Sequence, residues 1–101
     1  MSSGTMTWDA VKAEIDKGLV VGTRIGWNGG GGHFMAIHGG SRIGLTHYFH
    51  IDDPIYGKSV LTVDQFSNNY QGSGSWTHSY ITKKYSYMRF LDLLLYEKLL
   101  I

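Results

Sequence analysis

The spacing of apolar and polar positions changes several times along the chain. Trp8, Val11 and Ile15 recur at helical spacing up to Gly18, Thr7 can accept from a free backbone N–H, and Asp9 falls in the first turn, so a short amphipathic helix is predicted. Leu19 to Trp27 is β-branched and aromatic with little charge and reads as a strand. Asn28 and the glycines Gly29 to Gly32 then turn the chain, and His33 to His38 reads as the returning strand. Gly39 to Gly44 reads as a second turn and Leu45 to Ile51 as a third strand, antiparallel to the one before. Pro54 cannot donate to a ladder, so that strand ends near it, and Tyr56-Gly57 marks a turn. Thr62 followed by Gln65 matches a capping box and predicts a short helix through Val63, Phe66 and Tyr70. Gln71 to Ser75 is a loop, and Trp76 to Lys84 alternates as a last strand. Ser86 to Ile101 is leucine-rich without glycine or proline and reads as a helix.

These elements predict an α+β fold in a single domain over residues 1–101: an antiparallel β-sheet of four or more strands, an N-terminal helix, a short helix beside the sheet and a C-terminal leucine-rich helix. The last of these carries Phe90, Leu91, Leu93, Leu94, Leu95, Leu99 and Leu100 around most of its circumference, where a surface helix carries one stripe. Two readings stay open for it. It packs in the core of this domain, or it meets another chain, as in a homo-oligomer built through residues 86–101.

A chain of 101 residues with 43% hydrophobic and 17% charged content can bury a modest core and is unlike a disordered segment. A formal net charge of +1 offers no field for nucleic acid or an anionic membrane, and no apolar run reaches the roughly 18 to 20 residues of a spanning helix. Neither nucleic acid nor membrane is therefore expected as a partner. The absence of cysteine rules out disulfides, thiolate metal sites and a thiol nucleophile within this chain. Met1 to Met6 has no basic region leading into an apolar run, so no signal peptide is expected and cytoplasmic residence is the default.

His33 opens one predicted strand and Asp53 closes the next. Antiparallel neighbours place the start of one beside the end of the other, so a carboxylate could orient an imidazole acting as general base. The same residues also read as a surface histidine after a glycine turn, with an Asx-type turn at Asp52-Asp53-Pro54. Gly-Gly-His-Phe-Met-Ala-Ile-His-Gly at residues 31–39, an aromatic-rich strand ending in Asp-Asp-Pro at 52–54, and Tyr-Gly at 56–57 together resemble the second half of papain-like cysteine peptidases. The likeness is to the bacterial branch that includes double-glycine-leader peptidases and certain plant-pathogen effector proteases. There the base histidine opens a strand after a small-residue loop, and the orienting Asp or Asn closes the next strand, often just before proline. The resemblance implies His33 as the catalytic base and Asp53 as its orienter, whereas Asp52 is one residue out of phase and points to the opposite face.

The resemblance spans Thr7 to Lys84, since Thr7 to Trp27 and Phe66 to Tyr70 with Trp76 are also similar in order and spacing; residues 85–101 have no counterpart. Family members place a nucleophilic cysteine at a helix start in the first half of the domain, with an oxyanion-hole glutamine before it. Neither that cysteine nor a segment long enough for that half precedes His33. The resemblance thus implies a peptidase-like half domain that is inactive alone and acts on a peptide or protein substrate only if a cysteine-bearing half completes it. The competing expectation is a non-catalytic binding or assembly module that self-associates through its C-terminal helix.

No cofactor or metal is implied. His47 and His50 lie three apart, on opposite faces of a strand, so sharing a metal would need a bulge or local helix, and His38 and His78 add no spacing. The Gly29 to Gly32 run precedes a strand and no P-loop lysine follows it, so it reads as a hairpin connection, not an anion cradle. Trp27, Trp76 and the tyrosines read as core or groove packing, and Ser67 and Ser79 lack the strained elbow of a serine nucleophile.

Overall fold

The computed structural model describes residues 2–82, in which one antiparallel sheet carries two helices on one face. The predicted helix over 86–101 and the self-association assigned to it lie outside the described residues, as do Lys83 and Lys84 of the last predicted strand. The elements are β1 (Ser2–Ser3), α1 (Trp8–Asp16), β2 (Val21–Trp27), β3 (Gly32–Ile43), β4 (Thr46–Asp53), β5 (Gly57–Thr62), α2 (Val63–Asn68) and β6 (Gly74–Ile81). Their order in the sheet is β1-β6-β2-β3-β4-β5, so the chain returns from the β5 edge past α2 to lay β6 beside β2. Among the described residues no helix is long and apolar enough to cross a membrane.

Local chemistry sets both helix starts. The Thr7 hydroxyl accepts from the Ala10 N–H at 3.1 Å, and α1 ends where Gly18 adopts φ +83°. In α2 the capping box is complete: Thr62 Oγ1 accepts from Gln65 N at 3.1 Å and Gln65 Oε1 accepts from Thr62 N at 3.0 Å. Between β2 and β3 the chain reverses through Gly30 and Gly31 at φ +101° and +83°, which glycine alone adopts without strain.

The turn expected at Gly39 to Gly44 is instead strand. Residues Gly39 to Ile43 continue β3 and pair with His50 to Thr46, so only Gly44-Leu45 turns the chain, with Gly44 at φ +61°. Gly40 faces Phe49 across the ladder, and a Cβ there would stand 3.1 Å from Trp8 Nε1, whose N–H donates to the Tyr48 carbonyl at 3.0 Å. Its glycine therefore seats α1 on the sheet. Register steps from Ile37↔Ile51 to Gly39↔His50, leaving His38 as a bulge. A further strand, β5, appears where the sequence suggested none: it is short, lies on the sheet edge, and leaves Val60 exposed. Tyr70, expected within the second helix, lies past its end in a bridge to Gly74.

The core is the helix-facing side of the sheet. Val21 and Ile25 of β2, Met35 and Ile37 of β3, and Phe49 and Ile51 of β4 alternate inward under Val11 and Phe66 from the helices. Phe49, Phe66 and Trp76 form an edge-to-face trio with centroids 5.2 to 5.9 Å apart. Truncating Phe49 to alanine is expected to lower unfolding free energy by about 3 to 5 kcal/mol. Urea unfolding checks this, and a loss below about 1 kcal/mol would mean that the trio is not the centre of the core.

Candidate functional site

Strand register brings His33 and Asp53 together. His33 pairs with Ile25 and shares the inward face of β3 with Met35 and Ile37, while Asp53 follows Phe49 and Ile51 on the inward face of β4. The pairing Ala36↔Asp52 sets Asp53 across from Met35 one step on, which makes His33 its diagonal neighbour. The two meet with Nε2 and Oδ1 2.9 Å apart, and the residues are 1% and 2% exposed. Asp52 faces the other side, opposite Ala36 and Lys58.

Asp53 both meets His33 and makes the expected Asx-type turn, whereas His33 is buried and not the surface histidine of the alternative reading. Oδ1 accepts from His33 and also from the backbone N–H groups of Ile55 and Tyr56 at 2.7 and 3.0 Å, an Asx turn on the same oxygen. Oδ2 accepts from the Tyr70 hydroxyl. Burial works to raise the pKa of this carboxyl, but the bonds from His33, Tyr70, Tyr56 and Ile55 together outweigh it and hold the group below its ordinary value. Burial first, and then the adjacent Asp53 carboxylate, push the Tyr70 phenol well above its own. An ionised carboxylate only accepts, so Nε2 of His33 carries the shared proton, and in the neutral ring the basic lone pair is on Nδ1.

Aromatic rings enclose the imidazole. Trp27 stacks on His33 at 5.7 Å with planes 14° apart, and Tyr56 meets it edge-on at 5.9 Å. Trp27 lies low because Gly74 is beneath it: a Cβ at that position would stand 2.7 Å from the indole ring. Tyr70 and Tyr56 are the partners that sequence reasoning missed. Tyr70 read as an apolar helix position, and no sequence signal pointed to a polar task for its hydroxyl.

The remaining candidates lie apart. His47 packs edge-on to Trp8 at 4.6 Å on the helix side, while His50 lies on the other face within 2.9 Å of Ser41 Oγ and with its ring 6.2 Å from that of His38. His78 neighbours Thr77, Ser79 is buried and donates to the Gly4 carbonyl, and Ser67 sits on α2. Gly29 to Gly31 form the β2–β3 connection, with Gly32 opening β3. Among the described residues no three His, Asp or Glu side chains converge as a metal ion would require. Comparison with protein families, with curated proteins and with solved structures finds no match.

Two measurements probe the network. Asp53→Asn is expected to cost about 1 to 3 kcal/mol at neutral pH. A carboxyl depressed by folding contributes stability that is present above its ordinary value of 3.8 and lost as pH falls through its folded value, so the deficit of the variant should shrink in acid. Urea unfolding from neutral pH into acid tests it, and a deficit independent of pH would refute the ionised, hydrogen-bonded Asp53. Tyr70→Phe should cost about 1 to 2 kcal/mol at neutral pH. Its phenol is raised by folding, so that contribution is present below 10.0 and lost as pH rises beyond it. Wild type and variant should therefore converge in alkali, and a gap that widens there would contradict the bond to Asp53.

Proposed function

We propose that the chain is a cysteine-peptidase-like half domain of the papain-like kind, with His33 as base and Asp53 as orienter, and that it does not hydrolyse peptides by itself. The observation that supports this reading is the 2.9 Å contact between Nε2 and Oδ1, made by a carboxylate that three further donors hold in place. Such a pair fixes the tautomer of the imidazole and stabilises the imidazolium that forms when it takes a proton. With a thiol supplied by a cysteine-bearing half, His33 would take the S–H proton as sulfur attacks the peptide carbonyl, and would return it to the leaving amine as the C–N bond breaks. This chain has no cysteine and so lacks the sulfur for that step.

A second reading, a non-catalytic binding or assembly module, is favoured by the near-complete burial of His33 and by the leucine-rich sequence of residues 86–101. In it the buried pair is a structural clasp.

The isolated chain should leave a peptide library uncut. The full reading frame of its gene should supply a cysteine and cut peptides in a manner abolished both by thiol alkylation and by His33→Ala. A full reading frame without cysteine, or cleavage indifferent to alkylation, would rule the peptidase-like reading out. Light scattering after size-exclusion chromatography addresses the second reading, since a monomer at every concentration would discredit self-association.

A further inference from the structure

The face of the sheet turned away from the helices carries a separate cluster. Arg24 points there, between Thr23 and Ile25, which face the core, and a cross-strand row sets it beside Phe34 on β3 and His78 on β6. Its guanidinium lies flat across the paired glycines Gly26 and Gly32. A Cβ at Gly32 would stand 2.5 Å from Cζ, Nε and Nη2, and one at Gly26 would stand 3.3 Å from Nη1. The missing side chains at these two positions leave room for the guanidinium to lie close against the strands. On β6 the register steps from Arg24↔His78 to Ile25↔Trp76, which leaves Thr77 as a bulge with its hydroxyl beside the guanidinium.

Nη1 donates to Thr77 Oγ1 at 2.9 Å, the Thr77 hydroxyl donates in turn to the Arg24 carbonyl at 3.2 Å, and His78 Nδ1 lies 2.9 Å from the same oxygen. With Nη1 fixed, the Nε–H and Nη2–H pair forms the fork that receives two oxygens of a carboxylate or phosphate in parallel. Among the described residues no carboxylate pairs with this guanidinium, as none does with Arg42 or Lys58, but of these three Arg24 alone is held by a side-chain hydrogen bond, at Nη1. Arg24 is half-buried and is held at Nη1 with its remaining fork unpaired by any carboxylate among the described residues, which is the arrangement that receives an oxyanion.

We infer that Arg24, positioned by Thr77, binds the oxyanion group of a small ligand, a phosphate or a carboxylate, on this face of the sheet beside His78. The site stands on the opposite face from His33 and Asp53 and does not depend on the peptidase-like reading. The glycine run, read as a plain hairpin connection, contributes through Gly32, which makes room for the arginine.

The test is NMR titration of the whole chain at low ionic strength and constant pH, with inorganic phosphate in one series and acetate in the other. Saturable shifts of the Arg24 Nε–H and of the Gly32, Thr77 and His78 amides are expected in at least one series; phosphate alone would mark a phosphorylated ligand, acetate alone a carboxylate. Arg24→Gln should weaken the affinity about tenfold or more, since a charge-assisted pair is lost. Arg24→Lys keeps the charge without the fork and should also bind more weakly than wild type, which tests the site even if the glutamine variant fails to fold. Shifts that grow without saturating in both series, or equal affinity in wild type and Arg24→Lys, would overturn the proposal.

Discussion

A carboxylate removed from water is tolerated when its lone pairs are occupied, and Asp53 draws the donors it needs from separate parts of the chain. His33 comes from β3, Ile55 and Tyr56 from the loop after β4, and Tyr70 from the segment after α2. One side chain thereby ties the sheet to both of its later connections. The arrangement depends on the register of β3 and β4, in which Ile37 opposes Ile51. A slip of one residue would turn Asp53 to the outer face and bring Asp52 inward, where neither the Asx turn nor Tyr70 could meet it. The pair that supplies candidate chemistry is thus also a lock on the strand register.

Two bulges divide the work of the sheet faces. At His38 the extra residue keeps His33, Met35 and Ile37 inward while bringing Gly40, further along, opposite Phe49 and under Trp8. Uninterrupted alternation would have put Ser41 beneath the helix and Gly40 on the outside. At Thr77 the extra residue sends a hydroxyl to Arg24 on the outer face while Trp76 stays in the core. Each bulge lets one strand serve an apolar core and a polar outer surface without mixing them.

What the sequence makes legible here is local. Thr7 and the Thr62–Gln65 box act on backbone groups within one turn, and His33 and Asp53 sit at the facing ends of consecutive strands, so short-range rules locate them. Gly39-Gly40 misleads because a glycine needed for the approach of Trp8 looks the same as one needed for a turn; the helix that demands it lies far upstream. β5 is hidden because an edge strand buries little, and its Val60 faces outward. Tyr70 keeps helical spacing with Phe66, yet Asn69 leaves the helix at φ −150° and redirects the next side chain to Asp53. The Asx turn and the contact to His33 coexist because a carboxylate has more acceptor positions than either uses, while the surface position of His33 in the alternative reading fails because its strand turns it into the core.

The closure around His33 bears on both readings of function. Trp27 covers one ring face and is seated over Gly74, so moving it would disturb the start of β6 as well. The loop carrying Tyr56 packs against the ring as well, and displacing its backbone would strip Asp53 of two of its donors and so loosen the His33–Asp53 pair. The Tyr56 side chain is different: it is 55% exposed and can change rotamer while its N–H stays on Asp53. On the proposed peptidase-like reading, rotating the Tyr56 ring would therefore open one side of His33 with the carboxylate network intact. In a pure clasp the same ring serves only to keep water from the buried pair, and rotating it would gain nothing.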